Sequence, residues 1–244
     1  MGASIPPDGC NQLICMTCRS RSQSDWCVLN DDEIALIDKV KLVRTCRKGD
    51  LLYAQGDTCH SIFCVVSGMV ALRKSDADGN SILLRLVHAG QTLGYRDMFA
   101  DKMYTNSAEV LRPSAVCQIP EAAVRKLLEH NPKLGFQFLN HCAADQESTE
   151  ESLLHQITLP VRSRLIHLLL TLKDRYGDRA DDGSLVVSLP MTRQDIAALL
   201  GTRPETIART INDLVSDELM NFAGRIVSIP NLDVLLDEIE SPGL

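Results

Sequence analysis

The chain has 244 residues and a net charge of −7, and its 45% apolar and 23% charged residues are typical of a water-soluble globular protein. No apolar run approaches the roughly 18 residues of a membrane span, and residues 1–30 lack the apolar stretch of an export signal. The overall charge disfavours an indiscriminate nucleic-acid binder, although residues 157–229 balance 9 Lys and Arg against 9 Asp and Glu. We therefore expect a cytoplasmic protein of one or two domains with no membrane contact.

Cysteine is abundant, with nine residues in the chain, and Cys10, Cys15, Cys18 and Cys27 all lie within the first 30 positions. An odd number in a chain without an export signal argues against a disulfide framework. The same segment has no hydrophobic period, so it needs a ligand or a neighbouring surface to become ordered. This clustering favours metal binding.

The region from Arg44 to Pro120 contains short runs of Val, Ile and Leu separated by turn signals. Such a pattern is typical of an all-β sandwich or roll, and a hairpin through Asp78-Gly79 is its clearest local feature. Short helices are predicted on either side, over Asp31–Val40 and Glu121–His130.

A longer helix is predicted from Lys133 to about Ile157, with one stripe of residues recurring at intervals of three or four. This spacing indicates a two-helix seam and therefore a dimer; the alternative is a helix packed on its own β-domain. Because Asp145 lies on the stripe, we expect its carboxylate to face its own copy and to oppose association. The predicted interface residues are Leu134, Phe138, Cys142, Asp145, Thr149 and Leu153.

The last third of the chain predicts two short helices joined at Gly201, followed by a small β-wing over Leu219–Phe222 and Arg225–Ile229. Thr192 and Asp195 fit a capping box at the start of the first helix. Two such helices with a tight glycine turn are typical of a helix-turn-helix, whose second helix enters the major groove of DNA.

The second helix carries the candidate DNA-reading residues. Glu205 and Arg209 are four residues apart and share a face, as is needed to read a G·C pair with Arg on guanine and Glu on cytosine. Arg203 and Thr206 are placed for phosphates, and Ala208 for a thymine methyl group. The alternative is that Glu205 and Arg209 form an ordinary surface ion pair.

The segments LPMTRQDIAALLG, from Leu189 to Gly201, and PETIAR, from Pro204 to Arg209, closely resemble the helix-turn-helix of the CRP/FNR superfamily. The resemblance extends through the β-region and the long helix and covers nearly all of the chain. It implies an α+β fold with an N-terminal cyclic-nucleotide-binding-like β-roll, a long dimerisation helix and a C-terminal winged helix-turn-helix. It also implies that Glu205 and Arg209 read the G·C pair of each half-site.

The resemblance further implies a transcription regulator, not an enzyme, that binds an inverted repeat as a homodimer, with a half-site near TTGAT and RNA polymerase as a partner. Members of the FNR branch have Ser where Ala208 stands, which leaves the exact half-site open. An enzyme of the cupin type is the remaining alternative class, but the β-region lacks that type's set of His and carboxylate ligands. The predicted domains are residues 1–30 (cysteine-rich segment), 31–131 (β-roll), 132–158 (dimerisation helix) and 159–244 (DNA-binding domain).

Cyclic AMP is not the expected signal. Superfamily members that bind it use a Gly-Glu pair and a later Arg-Ser pair, whereas the matching regions here read Gly94-Tyr-Arg-Asp97 and Lys102-Met-Tyr-Thr105. The carboxylate for the ribose and the arginine for the phosphate are both missing from those places.

The arrangement Cys15-x2-Cys18-x8-Cys27, with Cys117 just before Gln-Ile-Pro120, resembles that of the oxygen-sensing FNR regulators. The resemblance implies a [4Fe–4S] cluster held by these four thiolates, the usual ligand set for such a cluster. The family's best-known second gap has five residues, and the longer loop here costs only about 0.4 kcal/mol in closure entropy. The alternatives are a zinc site, a thiol–disulfide switch, and nitric oxide as the signal.

The remaining cysteines have simpler interpretations. Cys10 is a fifth candidate ligand, although its gap to Cys15 is long for a ligand pair. The others fall within strand or helix patterns and are interpreted as buried apolar side chains: Cys46, Cys59, Cys64 and Cys142.

Overall fold

A computed structural model describes residues 13–240, except for the side chain of residue 240, so Cys10 lies outside the described residues. The chain divides between Gln146 and Glu147 into two compact units. Within residues 13–240, no helix is both long enough and apolar enough to cross a bilayer. The domain boundaries given above stay a prediction.

The first unit contains a six-stranded antiparallel sheet in the order β1-β6-β3-β4, with β2 paired to β6 and β5 to β3. The predicted β-roll is therefore confirmed, and so is the hairpin through Asp78-Gly79, where Ser75 lies opposite Ser81. The strands are β1 (Leu42–Cys46), β2 (Leu51–Tyr53), β3 (Ser61–Ser75), β4 (Ser81–His88), β5 (Thr92–Leu93) and β6 (Ser107–Pro120).

Strand β3 runs through a sequence that resembles a turn. Ser67-Gly68 is one of the turn signals of this region, but here it forms a bulge at which the register with β6 shifts. Gly68 has a φ of 88°, and a Cβ at this position would lie 2.7 Å from the Cα of Ser114. A glycine is thus required to bring the two strands together at the bulge.

Four α-helices begin in the first unit, and the two short helices that the sequence predicted are confirmed. Asn30 caps α1 in a capping box with Glu33, and Ile34 and Ile37 bury its inner face. Trp26, from the segment before α1, joins the same core. The helices are α1 (Asp31–Val40), α2 (Tyr95–Phe99), α3 (Glu121–His130) and α4 (Pro132–Thr158).

The inner stripe of α4 packs on its own β-roll, which corrects the predicted dimer interface. Leu134 and Phe138 are 0% and 1% exposed within the core, and Cys142 packs against that core. Leu134 and Phe138 are thus covered by their own chain, Cys142 is half-buried, and Thr149 and Leu153 are exposed. The exposed large apolar side chains of α4 are Phe136, Leu139, Leu153, Leu154 and Ile157.

Asp145 is also engaged within its own unit. One carboxylate oxygen forms an ion pair with Arg85, and the other accepts a hydrogen bond of 2.6 Å from the Tyr95 hydroxyl. The side chains of Asp145 and Arg85 are only 12% and 26% exposed. Arg85 therefore compensates the charge of Asp145 within the chain, and the expected repulsion between two Asp145 carboxylates stays a prediction.

Asp145→Ala is expected to lower the free energy of unfolding of the first unit by about 1–3 kcal/mol, because Arg85 and the Tyr95 hydroxyl lose their acceptor in a partly buried site. Urea unfolding followed by the fluorescence of Trp26, the only tryptophan, measures this change. Glu151→Ala, at an exposed position of the same helix, is the matched control. If Asp145→Ala instead leaves the free energy of unfolding unchanged and associates more tightly than wild type, the main effect of Asp145 is the expected repulsion between two copies.

The second unit confirms the predicted helix-turn-helix and wing, with a four-stranded sheet in the order β7-β8-β10-β9. Strand β7 and helix α8 were not predicted; β7 pairs along β8, and α8 packs on α5. The elements are α5 (Val161–Tyr176), β7 (Gly177–Arg179), β8 (Leu185–Ser188), α6 (Arg193–Leu199), α7 (Pro204–Ser216), β9 (Asn221–Ala223), β10 (Ile226–Ile229) and α8 (Leu232–Glu240).

Candidate metal centre and nucleic-acid interface

The described part of the cysteine-rich segment, residues 13–30, contains three short 3-10 helices, over Cys15–Thr17, Arg21–Gln23 and Asp25–Val28. The first brings the Cys-x2-Cys pair together, since the Cys18 N–H donates to the Cys15 carbonyl at 3.3 Å. The described residues of the segment pack on the β-roll, where Trp26 and Leu29 join the core. For example, the Ser20 hydroxyl donates to the Val66 carbonyl at 3.0 Å.

Three of the four predicted ligands meet at one cavity of the first unit. Cys15 and Cys18 enter from the segment, and Cys117 enters from β6; Cys117 is 5% exposed. The cavity wall is otherwise mostly apolar. Its remaining lining residues are Ser20, Arg21, Ser24, Trp26, Ile34, Ile37, Cys64, Val66 and Ile119.

Cys27, the fourth predicted ligand, lies outside this cavity. It is exposed, and its Sγ lies 3.9 Å from the Gln137 Nε2 of α4. Among residues 13–240, no three Cys, His, Asp or Glu side chains stand close enough together to hold a single metal ion.

Cys64 is a cavity residue that the sequence analysis missed. It is 8% exposed, and the pairing of β3 with β6 places it directly opposite Cys117. The sequence shows only a cysteine inside a strand, which is typical of a buried apolar side chain. The strand register, which the sequence does not reveal, places it beside a predicted ligand.

Lys41 and Asp38 hold Cys15 from two sides. The Lys41 ammonium donates to the Cys15 Sγ at 2.9 Å, and the Asp38 carboxylate accepts the Cys15 N–H at 2.9 Å. Asp38 and Lys41 are themselves ion-paired at 2.5 Å, and the Lys41 side chain is only 5% exposed. A buried cation thus lies beside a predicted thiolate.

Burial keeps these thiols protonated when no metal is bound. It raises the pKa of Cys15, which Lys41 opposes, and it raises the pKa of Cys117 to about 12. A coordinated metal ion removes the proton from a thiol outright, so the chemistry of this site fits metal binding that releases protons.

The cysteine-rich segment is also bound to α4. The Asp25 carboxylate, 3% exposed, lies 2.6 Å from the His141 Nδ1, and this hydrogen bond raises the pKa of His141. The Trp26 ring packs edge-on against Phe138, with ring centroids 5.7 Å apart. Asp25 and Trp26 directly precede Cys27, so α4 holds the part of the segment that carries this cysteine.

The helix-turn-helix is built by a cap, a turn and a proline. Thr192 and Asp195 form the predicted capping box at α6. Gly201 adopts a φ of 62° in the turn, and Pro204 occupies the first turn of α7. The Arg164 guanidinium of α5 donates to the Leu200 carbonyl at 2.6 Å and fixes the turn. Helix α7 buries Ile207, Thr210, Ile211 and Leu214.

The opposite face of α7 presents the predicted DNA-reading residues. Arg203, Glu205 and Arg209 are exposed, and Thr206 and Ala208 are half-buried. Among the described residues, Glu205 and Arg209 form no ion pair with each other, so the ordinary i,i+4 surface pair is not formed. Their side chains are free to contact another molecule.

Comparison with known proteins agrees with this architecture. The cyclic nucleotide-binding domain family matches residues 43–131, and the Crp-like helix-turn-helix domain family matches residues 163–238. The first match lies within the first unit and the second match within the second unit, and the protein is a DNA-binding transcription regulator.

Among curated proteins, the chain is 30% identical over 217 residues to the transcriptional activator protein FnrA of Stutzerimonas stutzeri, covering 87% of this chain and 88% of that protein. It is 25% identical over 240 residues to the anaerobic regulatory protein of Haemophilus influenzae, covering 97% of this chain and 91% of that protein. The chain belongs to the CRP/FNR family of transcription regulators.

Solved structures show the same fold. FixK2 from Bradyrhizobium japonicum matches with a TM-score of 0.71 at 21% identity, over 81% of this chain and 96% of that one. A CRP-family transcriptional regulator from Thermus thermophilus matches with a TM-score of 0.69 at 22% identity, over 81% and 97% of the two chains. The predicted fold is confirmed.

Proposed function

We propose that this regulator senses its signal through an oxygen-labile [4Fe–4S] cluster in the cysteine cavity, and that the cluster controls dimerisation and DNA binding. The observation that carries the proposal is that Cys117 meets Cys15 and Cys18, from a distant part of the sequence, at one cavity. The name of one curated relative, the anaerobic regulatory protein of Haemophilus influenzae, supports a response to anaerobic conditions.

The residues present fit such a cluster. Cysteine thiolates are its usual ligands, and the mostly apolar wall restricts access of water to it. When bound, the cluster would be the group that reacts with oxygen. Lys41 compensates the negative charge of the Cys15 thiolate, and Asp38 orients the Cys15 backbone. The resemblance names Cys27 as the fourth ligand, and that assignment stays a prediction.

Two contacts in the β-roll support a signal other than cyclic AMP. Tyr95, in the region where the superfamily's ribose-binding carboxylate stands, is fully buried and donates its hydroxyl proton to Asp145. The Asp97 carboxylate accepts a hydrogen bond of 2.8 Å from the Thr105 hydroxyl. Both side chains therefore have partners within the chain: Tyr95 bonds to Asp145, and Asp97 bonds to Thr105. We take the match to the cyclic nucleotide-binding domain family to apply to the fold of this unit and not to its ligand.

Protein purified without air is expected to be brown, with a broad visible band that bleaches in air.

Cys117→Ser should lose most of its iron, because a serine hydroxyl replaces one of four thiolates. Iron and sulfide analysis measures the loss. Cys46→Ser is the matched control, since Cys46 is buried in the neighbouring strand β1 but does not line the cavity. Full iron content in Cys117→Ser would show that the cluster does not lie in this cavity. A colourless protein containing zinc would show that the protein holds no such cluster.

For DNA binding we propose that α7 lies in the major groove, with Glu205 and Arg209 reading a G·C pair and Arg203, Thr206 and Ala208 making the neighbouring contacts. The exposure of the three charged side chains supports this assignment. Each subunit of a homodimer would read one half of an inverted repeat near TTGAT. RNA polymerase is the proposed protein partner, and no enzymatic activity is proposed.

Arg209→Ala is expected to weaken binding to the specific site by about 1–3 kcal/mol and to change binding to random DNA little, because the lost contact is to a base. Arg203→Ala, which removes a proposed phosphate contact, should instead weaken both complexes alike. Fluorescence anisotropy titrations at one fixed salt concentration compare the two variants. Equal losses on specific and random DNA for Arg209→Ala would reduce Arg209 to a phosphate contact.

The homodimer is proposed to form through the exposed face of α4. Two pairs of exposed apolar residues lie on this face: Phe136 and Leu139 near its start, and Leu153 and Ile157 near its end. Both pairs fall on the same repeat of alternating three- and four-residue steps, as in a helix seam. Large apolar side chains left uncovered on a helix mark an interaction surface. Leu153 belongs to the stripe of the sequence analysis and remains a proposed interface residue, as does the exposed Thr149.

Leu153→Glu is expected to raise the dimer dissociation constant by about a hundredfold or more, because a buried Leu contributes about 1.5–3 kcal/mol and each of the two copies loses one. Sedimentation velocity of the cluster-bound protein measures the change. Leu42→Glu, at an exposed leucine of β1 outside α4, is the control. An unchanged dissociation constant for Leu153→Glu would place the interface elsewhere.

A further inference from the structure

The cavity contains a set of four thiols that differs from the set expected by resemblance. Cys15, Cys18 and Cys117 belong to both sets, whereas Cys64 takes the place of Cys27. Four thiolates are the usual ligand set of a [4Fe–4S] cluster. The candidates for the fourth ligand are therefore Cys27, named by the resemblance, and Cys64, which lines the cavity.

Strand pairing places Cys64 where a ligand is needed. Cys64 of β3 and Cys117 of β6 are direct partners in an antiparallel ladder. Side chains directly opposite in such a ladder share a face of the sheet, with Cβ atoms about 4.5–5.5 Å apart. The ladder thus supplies one pair of adjacent thiols, and the turn between Cys15 and Cys18 supplies the second pair across the cavity.

Cys27 does not line the cavity, although Trp26 directly before it does. Asp25 is bonded to His141, Trp26 is packed on Phe138, and both anchors lie on α4. Asp25 and Trp26 are 3% and 5% exposed. These two anchors hold Cys27 in its exposed position beside α4.

We propose that Cys64 is the fourth thiolate ligand of the cluster and that Cys27 is not a ligand. This inference rests on the proposed cluster in the cysteine cavity. It makes two of the four ligands part of the rigid sheet and the other two part of a single turn. The segment between Cys18 and Cys27 then keeps its contacts with α4 while the cluster is bound.

The test compares the iron and sulfide content of wild type, Cys64→Ser and Cys27→Ser after anaerobic cluster reconstitution. Cys27→Ser should match wild type, and Cys64→Ser should lose most of its iron. Cys64→Ala is measured beside it, because Ala adds no polar group to the buried site, and circular dichroism of the apo-proteins checks that both variants fold. Loss of iron in Cys27→Ser, or wild-type iron in a folded Cys64 variant, overturns the inference.

A second measurement needs no variant. Wild-type protein loaded with the cluster is treated with iodoacetamide without air, and the modified cysteines are identified by peptide mass. Cys27 should be alkylated in the loaded protein as readily as in the apo-protein, since an exposed, unligated thiol is accessible. Protection of Cys27 by the cluster overturns the inference but leaves the cluster in place. Failure of the wild type to bind iron at all refutes the proposed function itself.

Discussion

The pairing of β3 with β6 is the constraint on which the first unit depends. Every other strand of its sheet bonds to one of these two: β1 and β2 to β6, and β4 and β5 to β3. Buried backbone N–H and C=O groups must be paired, so this ladder sets the register of the whole sheet. Because side chains alternate between the two faces, a slip of one residue would turn Cys64 or Cys117 away from the cavity.

The cysteine-rich segment is ordered by what surrounds it. It places Trp26 in the core of the β-roll, bonds Ser20 to β3 and bonds Cys15 to α1. Its far end is attached to α4 through Asp25 and His141. A change in the packing of the segment therefore reaches α4 through direct contacts, and α4 is the helix that leaves a large apolar face uncovered.

Helices α4 and α7 each have one buried face that packs within its own unit and one exposed face. Helix α4 buries Leu134 and Phe138 in its own unit and exposes the side chains proposed for the dimer. Helix α7 buries an apolar face within the second unit and exposes Glu205 and Arg209. In both cases the buried face fixes the position of the helix, and the exposed face carries the side chains proposed to contact a partner molecule.

The sequence by itself determined the β-roll, the short helices, the capping box at Thr192 and the helix-turn-helix, because turn residues, caps and hydrophobic periods act over a few neighbouring positions. Only the tertiary structure decided which stripe of α4 faces the core, since two stripes of one helix carry apolar residues and only packing distinguishes them. It also decided that Asp145 pairs with Arg85 and that Cys64 lies beside Cys117. These pairs are 60 and 53 positions apart in the chain, and no local pattern encodes a contact that strand register and helix packing create.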